Sequence, residues 1–306
     1  MHEIPQYVAS AAKVFRHWDW LKKFQHGPVF PINAEIGVTS ACNMECDDCI
    51  LQNLGDGTEM SFSLFSELIK TLRKGGTKAI EITSAEPTLW PYLPDAFRLL
   101  HHLDFRVGLK TNGIRLDSLD EQVLRNVSWI RISLQGFDHA IVPNIPRLPK
   151  SSRISASYVW HKNSTPEIVK DVAYWCNKLG IQCRLVLSVY LDDSKKREEG
   201  LALAARFSPV IYHSQRHSRP AYFCYQPYLH LYIGWDGYLY ACCVFYTPER
   251  VSQFDHRWRI CHVKEIADFY GKEPMDLGFR CKSCIYTDEN NILADIRHHV
   301  EDEDFV

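Results

Sequence analysis

Residues 34–213 alternate between short apolar runs typical of buried β-strands and longer segments with helical periodicity. The first pair shows the pattern: AEIGV at 34–38 predicts a buried strand, and 63–74 predicts a helix with one apolar stripe, ended by Gly75 and Gly76. Six strand–helix pairs of this kind follow one another. Because parallel strands joined by helices form right-handed crossovers, the alternation predicts an α/β fold, a partial TIM-like (β/α)6 barrel.

The remaining pairs continue the pattern. The further predicted strands are 78–83, 106–110, 129–133, 154–160 and 182–189. The further predicted helices are 91–102, 118–126, 166–179, with Thr165 as its N-cap, and 196–207. One pair is irregular: the stretch VPNIPRLP between the strands at 129–133 and 154–160 carries three prolines, so we expect a loop or short helix there.

Length and charge limit the class of protein. The 306 residues, 46% of them hydrophobic, predict one large domain with a small appendage. A net charge of −2 disfavours a nucleic-acid partner without excluding it. No run approaches the roughly 18 apolar residues of a membrane span, and the polar start MHEIPQ is unlike a secretory signal, so we expect a cytoplasmic protein without membrane contact.

We predict a helical extension at 1–33, the barrel at 34–215, a β-hairpin and helix module at 216–290 and an acidic tail at 291–306.

Three of the eleven cysteines form a tight group directly after the first predicted strand. Cys42, Cys46 and Cys49 have the spacing C-x3-C-x2-C, which leaves a metal ion one protein ligand short. Three thiolates can hold a [4Fe–4S] cluster and leave its fourth iron open to an exogenous ligand. A structural zinc site or chance spacing is the alternative.

Short polar motifs follow the next three predicted strands. Ser-Ala-Glu-Pro occupies 84–87, Thr-Asn-Gly occupies 111–113, and Ser-Leu-Gln-Gly occupies 133–136. In barrels of this kind, chemistry lies at the carboxyl ends of the strands, so we expect these motifs to meet the cysteine loop at one face. This context favours an iron–sulfur site over zinc or chance.

The cysteine spacing, the Glu-Pro loop and the Thr-Asn-Gly loop together resemble the radical S-adenosylmethionine (SAM) superfamily. The resemblance implies that the amino and carboxylate groups of SAM chelate the open iron. An electron from the reduced cluster, supplied by a flavodoxin- or ferredoxin-type donor, then cleaves SAM to methionine and a 5′-deoxyadenosyl radical, which removes a hydrogen atom from the substrate.

The resemblance also assigns the SAM contacts. Glu86 would accept a hydrogen bond from the SAM ammonium, while Ser84 and Ala85 replace two glycines that the family usually has. Asp48 stands where an apolar residue near the adenine is usual. The expected cofactor-binding residues are Ser84, Ala85, Glu86, Pro87, Thr111, Asn112, Ser133 and Gln135.

A second cysteine pattern lies in the C-terminal part of the chain. Cys224 and Cys242 flank two alternating aromatic and aliphatic runs separated by Gly234 and Gly237, which predicts a β-hairpin. With the downstream pair Cys281 and Cys284, the pattern C-x12-G-x4-C resembles the twitch module, a shortened SPASM domain that binds one auxiliary [4Fe–4S] cluster. A zinc ribbon built from the same four thiolates is the alternative.

The sequence leaves the substrate open. The candidate catalytic residues are Tyr158, His161, Tyr190 and Arg216. The leading hypothesis is an oxidoreductase that dehydrogenates a small molecule with help from the auxiliary cluster. The alternatives are maturation of a ribosomally made peptide and modification of a nucleotide or nucleic-acid base. A noncatalytic iron–sulfur or zinc-binding module is a further alternative, against which the Glu-Pro and Thr-Asn-Gly motifs argue, because an electron carrier needs no SAM pocket.

Overall fold

A computed structural model describes residues 11–51, 56–143, 153–188, 190–213, 219–242, 245–246, 251–252, 256–282 and 284–298. The strands are β1 (Asn33–Gly37), β2 (Ala79–Thr83), β3 (Arg106–Thr111), β4 (Trp129–Ser133), β5 (Arg153–Trp160), β6 (Cys183–Leu187), β7 (Ile211–His213), β8 (His230–Ile233), β9 (Tyr238–Tyr240), β10 (Phe245–Tyr246), β11 (Val251–Ser252) and β12 (Arg259–His262). The α-helices are α1 (Trp18–His26), α2 (Phe62–Gly75), α3 (Leu93–His102), α4 (Glu121–Leu124), α5 (Pro166–Leu179), α6 (Ser194–Arg206), α7 (Gln226–Leu229), α8 (Ile266–Tyr270) and α9 (Thr287–Arg297).

One sheet contains ten of the described strands, in the order β12-β9-β8-β1-β2-β3-β4-β5-β6-β7. Every neighbouring pair from β1 to β7 is parallel, and helices connect most of these strands. The predicted α/β class and partial barrel are therefore confirmed. β8 adds to the free edge of β1 in parallel, and β9 and β12 continue the sheet in antiparallel orientation.

The local signals of the sequence explain where the helices begin and end. Ser61 caps α2 by accepting a hydrogen bond from the backbone N–H of Leu64, and Gly76 ends it with a φ of 95°. Thr165 caps α5, as predicted. The predicted helix at 118–126 is shorter than expected, because Asp120 caps a new helical turn and only Glu121–Leu124 is α-helical.

Alternation along the strands separates an apolar outer layer from a polar interior. On β2 and β4, Ile80, Ile82, Ile130 and Ile132 are fully buried in the apolar core, between the sheet and its helices. The intervening residues face the inside of the barrel and include charged side chains such as Arg131. The barrel interior therefore offers a polar chamber at the centre of an apolar shell.

The C-terminal segment is built onto the same sheet. The predicted hairpin is present as β8 and β9, which pair antiparallel. The amphipathic N-terminal segment forms a 3-10 helix at Ala11–His17 followed by α1, which packs against α9 with Leu21 and Phe24 buried. In the described part of the chain, no helix has both the length and the apolar character required to cross a bilayer. The predicted acidic tail at 291–306 begins too early, because 291–297 belong to α9, where Leu293 and Ala294 are buried; residues 299–306 lie outside the described residues.

Candidate active site

The three clustered cysteines lie on one loop at the carboxyl end of β1. The base of this loop is fixed, because the backbone N–H of Ser40 donates to Thr58 (2.9 Å) and that of Met60 donates to Val38 (2.9 Å). Within the loop, the N–H of Cys49 donates to the carbonyl of Cys46 at 3.2 Å. The sequence spacing therefore becomes a compact turn that presents three sulfur atoms from a firmly anchored base.

The surroundings of the three sulfur atoms suit a metal cluster. Burial raises the pKa of each thiol, and for Cys46 it does so to about 12, with Cys49 and Cys42 adding to the effect. Backbone N–H groups donate to the sulfurs, for example that of Leu51 to Cys49 Sγ at 3.4 Å. Such donors stabilise thiolates, and a bound metal supplies the positive charge that deprotonation requires.

Ligand spacing separates the two metal hypotheses. Three sulfurs around one zinc ion, each bonded at about 2.3 Å, would lie roughly 4 Å apart. Among the described residues, the group of three ligand atoms within 4.8 Å of one another is Glu35, Glu81 and His230, and no cysteine belongs to it. The three cysteine sulfurs are therefore spaced more widely than the ligand atoms of that group, which disfavours a single zinc ion.

Glu86 holds the loops of the site together. Its side chain is fully buried, and Oε1 accepts hydrogen bonds from Thr88 N (3.0 Å), Thr88 Oγ1 (2.6 Å) and Thr111 Oγ1 (2.7 Å). Oε2 accepts from the backbone N–H of Asn112 at 2.7 Å. Four protein donors already occupy a carboxylate that offers about four acceptor positions. Contact between Glu86 and the SAM ammonium stays a prediction, and the observed bonds indicate a positioning role.

The Thr-Asn-Gly loop also reaches the cysteine loop. The Asn112 amide donates to Asn43 Oδ1 at 2.7 Å, and the backbone N–H of Glu86 donates to the carbonyl of Ala41 at 3.0 Å. The loops after β1, β2 and β3 are thus one hydrogen-bonded unit. A change in any of the three therefore alters the position of the cysteines.

Ser84 and Ala85 adopt the backbone conformation that glycine favours. Their φ angles are 80° and 27°, although both carry a Cβ atom. The Gly-Gly conformation of the family is therefore retained without the glycines, and a Cβ in this region costs roughly 1–2 kcal/mol per residue. Such a cost persists where the surrounding structure fixes the loop, as Glu86 does here.

A buried polar group lies beside the cysteine loop. Asp138 accepts hydrogen bonds from Gln135 Nε2 (3.0 Å) and from the Tyr158 hydroxyl (2.5 Å), and its Oδ2 lies 3.0 Å from His161 Nε2. His161 Nδ1 accepts from the backbone N–H of Asn163, so Nε2 carries the proton. The Asp138 carboxylate raises the pKa of His161 against the opposing effect of burial. Asp138 was not predicted from the sequence.

The residues predicted to act on the substrate have different positions. Tyr158 and His161 are 1% exposed and do not line the barrel cavity, so their bonds to Asp138 indicate a positioning role. Gln135 does line it, although its amide also pairs with the backbone of Val159. Tyr190 is 43% exposed and lies away from the cavity, and Arg216 falls outside the described residues.

A cavity of about 2240 Å³ runs through the barrel and brings the motifs together. Of the predicted site residues, the cavity wall contains Cys42, Cys46, Cys49, Ser84, Ala85, Thr111, Asn112, Ser133 and Gln135. The wall does not include Glu86 or Pro87, which lie behind it. The cysteine loop and the motifs that follow β2, β3 and β4 therefore line one chamber, which is large enough for SAM and a second molecule.

Three of the four C-terminal cysteines come together through tertiary contacts. An antiparallel bridge joins Arg219 to Cys284, and the N–H of Ala221 donates to the carbonyl of Cys281 at 2.9 Å. Burial raises the pKa of the Cys224 thiol to about 12, and the charges of Cys281 and Cys284 add to the effect. Cys242 lies two residues beyond the end of β9, and its place in the ligand set stays a prediction.

Similar proteins were found by sequence. A GTP 3′,8-cyclase of Chlorobaculum tepidum is 31% identical over 125 residues, which are 39% of this chain and 38% of that protein. An S-adenosylmethionine-dependent nucleotide dehydratase of a Thermoplasmatales archaeon is 26% identical over 109 residues, or 35% of this chain and 39% of that protein. The matches thus span about two fifths of the length of these relatives.

Structural comparison agrees on the fold. The native enzyme anSMEcpe with bound S-adenosylmethionine and the Cp18Cys peptide superposes with a TM-score of 0.53 and 12% identity, covering 90% of this chain and 86% of that one. A family model described as the radical SAM superfamily matches residues 36–202, more than half of the 306 residues. That range contains the cysteine loop and every strand-end motif described above, so the chain belongs to the radical SAM superfamily, whose members use SAM and a [4Fe–4S] cluster.

Proposed function

We propose that this enzyme oxidises a small molecule held inside the barrel, with the C-terminal cysteines binding an auxiliary [4Fe–4S] cluster. The observation that carries the proposal is the wall of the cavity: the same chamber that contains the cysteine loop is bounded by Tyr232 and Tyr286, next to Cys284. A substrate in this chamber would therefore lie between the two cysteine sets.

Short contacts connect the C-terminal cysteines to the chamber. The backbone N–H of Tyr286 donates to Cys284 Sγ at 3.3 Å, and the Tyr286 and Tyr232 hydroxyls lie 2.7 Å apart. The Asn290 amide donates to the same sulfur at 3.8 Å. Donors of this kind tune the reduction potential of a cluster, which suits an electron acceptor beside the substrate.

When bound together, SAM and the first cluster supply a 5′-deoxyadenosyl radical, which abstracts one hydrogen atom from the substrate. An auxiliary cluster held by the C-terminal cysteines would supply an acceptor for the remaining electron, and loss of a proton from the substrate would then complete a two-electron oxidation. The chain's own contribution is positional: Cys42, Cys46 and Cys49 would hold the first cluster, and Glu86 fixes the loops around it. We further propose a flavodoxin- or ferredoxin-type electron donor and a reducing, cytoplasmic setting, in which the ten cysteines described as free thiols stay reduced.

The test is an anaerobic assay of the reconstituted enzyme with SAM, reductant and a metabolite extract. We expect substrate-dependent 5′-deoxyadenosine, stoichiometric consumption of SAM and a product two hydrogens lighter than its substrate. A product of unchanged mass with SAM regenerated would instead indicate an isomerase. Reconstitution should load about eight irons per chain, two clusters of four. Saturation at four irons and one zinc ion would contradict the auxiliary cluster.

A nucleotide substrate is the second candidate. Two relatives of this chain are named for action on a nucleotide, a GTP 3′,8-cyclase and a nucleotide dehydratase. The matched segments are short, so they support the substrate class and not the reaction. Including nucleoside triphosphates as defined substrates in the same assay tests this candidate, and deoxyadenosine formation with one of them would favour it.

A further inference from the structure

The interior of the barrel has two walls of different charge. On the first wall, Lys110 Nζ lies 2.6 Å from Glu35 Oε2 and 3.0 Å from Glu81 Oε2. His230 Nε2 lies 3.4 Å from the same Glu35 oxygen. The Lys110 ammonium occupies the position that a metal ion would take between these carboxylates. Two carboxylates and one ammonium give this wall a net negative charge, so it does not attract an anionic ligand.

The second wall carries an excess of positive charge. It is formed by Arg131 on β4, Arg184 on β6, Arg197 on α6 and His213 on β7, all of which line the cavity, and we call it the arginine wall. β5 runs between β4 and β6, and its small Ser155 and Ser157 pair in register with Arg131 and Arg184 respectively. Two serines in place of larger side chains leave space between the guanidinium groups.

Arg131 and Arg197 lack carboxylate partners. Among the residues that the structure describes, neither guanidinium forms an ion pair, and Arg197 Nη1 donates a hydrogen bond to the carbonyl of Leu191 at 3.0 Å. Arg131 Nε is buried without a hydrogen-bond partner, and its guanidinium lies over the Trp129 ring at 5.3 Å. Arginine cannot lose its proton in a protein, so both groups remain cations, Arg131 half-buried and Arg197 exposed at the cavity wall.

Burying a cationic donor without a partner is costly, so the unpaired Nε of Arg131 favours an anionic group bound at this wall. Burial and the neighbouring Arg197 lower the pKa of His213, so this ring is neutral at neutral pH and offers a hydrogen bond without adding charge. The guanidinium groups of Arg131 and Arg197, which both line the cavity, retain donors that form no hydrogen bond to the described residues. Planar donor pairs match the oxygens of a phosphate group.

We propose that the arginine wall binds a phosphate group of a phosphorylated small-molecule substrate, which rests on the proposed function in that the bound molecule is the one that reacts. A phosphate carries about −1.5 to −2 charges at neutral pH, which matches several guanidinium groups better than the single charge of a carboxylate. Ser133 follows Arg131 by two residues on the same face of β4, roughly 7 Å nearer the cysteine loop. A molecule anchored by its phosphate at Arg131 thus extends toward the SAM end of the chamber.

The experiment titrates the reconstituted enzyme, saturated with SAM, with inorganic pyrophosphate, inorganic phosphate and acetate by isothermal calorimetry. We expect pyrophosphate to bind more tightly than phosphate, and acetate to bind at least tenfold more weakly than either. Arg131→Gln and Arg197→Gln should each weaken pyrophosphate binding about tenfold or more, and Arg131→Lys should weaken it less. Arg98→Gln, which removes an exposed ion pair on α3, is the matched control and should leave binding unchanged.

Several results would overturn the inference. Unchanged pyrophosphate affinity in folded Arg131→Gln and Arg197→Gln variants would do so, as would acetate binding as tightly as pyrophosphate. If Arg131→Gln does not fold by circular dichroism, Arg131→Lys decides, because it keeps the charge and loses the planar fork. Weaker pyrophosphate binding by this variant would support the inference, and unchanged binding would overturn it. The titration needs no turnover, so absence of 5′-deoxyadenosine would contradict the proposed function and leave this inference intact.

Discussion

The two cysteine sets of this protein are built in opposite ways. The first lies within eight residues on one loop, and hydrogen bonds from neighbouring strand ends, such as Asn112 to Asn43, hold that loop. The second set draws on separate chain segments, because Cys224 meets Cys281 and Cys284 through the pairing of 219–221 with 281–284. A local set can keep its geometry without metal, whereas a dispersed set depends on the metal to hold its segments together.

Removing the first set should have the largest effect. Replacing Cys42, Cys46 and Cys49 together by alanine should abolish SAM cleavage and lower the iron content from about eight to about four per chain, since the other set lies in another part of the chain. Deoxyadenosine is measured by chromatography and iron by a colorimetric assay. Cys176→Ala, in the buried core, is the control and should retain both clusters. Residual SAM cleavage in the triple variant would refute the assignment.

Removing half of the second set should separate SAM cleavage from product formation. We expect Cys281→Ala combined with Cys284→Ala to stop product formation while part of the SAM cleavage remains, because the first cluster stays bound. Circular dichroism checks that the C-terminal segment still folds. Cys261→Ala, a half-buried cysteine of the same segment outside the predicted ligand set, should behave as the wild type. Equal loss of both activities in a folded double variant would mean that the two sets are not independent.

The hydrogen bonds that Glu86 accepts around the first cysteine set predict a moderate effect on SAM binding. Glu86→Gln replaces a carboxylate that accepts four hydrogen bonds, and charge-assisted bonds are worth about 1.5–3 kcal/mol. We therefore expect SAM binding to weaken about tenfold or more in a calorimetric titration. Glu67→Gln on the exposed face of α2 serves as the control. Unchanged SAM affinity would show that the cysteine loop keeps its geometry without the hydrogen bonds of the Glu86 carboxylate.

The smallest expected effect concerns backbone strain in the same unit. Ser84→Gly should relieve the cost of a Cβ at a φ of 80°, offset in part by the greater freedom of glycine in the unfolded chain. The net change should be a stabilisation of about 0.5–1 kcal/mol, measured as a shift in the midpoint of thermal unfolding. Gly76→Ala, at a φ of 95°, should move the midpoint in the opposite direction. Destabilisation by Ser84→Gly would mean that the serine side chain makes a stabilising contact.

Patterns within short sequence segments predicted the strands and helices whose formation depends on neighbouring residues in the chain. Apolar runs identified β1 to β6, because each strand packs helices on its outer side whatever its neighbours are. The position of β8 beside β1 has no local signal, since these strands are far apart in the chain. The sequence did contain a signal for the position of Tyr158. Alternate residues of a strand face the same side, so Tyr158 lies on the same side of β5 as the buried Ala156 and Trp160 and points away from the barrel cavity.

The arginine wall and Asp138 escaped prediction for a different reason. An isolated arginine or aspartate in a sequence is most often a solvated surface residue, and only the curvature of the sheet brings Arg131 and Arg184 to one cavity. The same holds for Asp138, whose three partners come from β5, its following loop and a 3-10 turn. Side-chain convergence is a property of the folded sheet, so a pattern within one segment does not contain it.

The pairing of β8 with β1 has a consequence for how the chain folds. Asn33 and His230, which are partners in this pairing, are 197 residues apart, so β1 remains an edge strand until β2 to β7 and then β8 have been synthesised. Contacts of such high sequence separation form slowly, and an unpaired edge invites pairing with another chain. Completion of the sheet, rather than formation of any single strand–helix unit, therefore ends the period in which the edge of β1 is open to pairing with another chain.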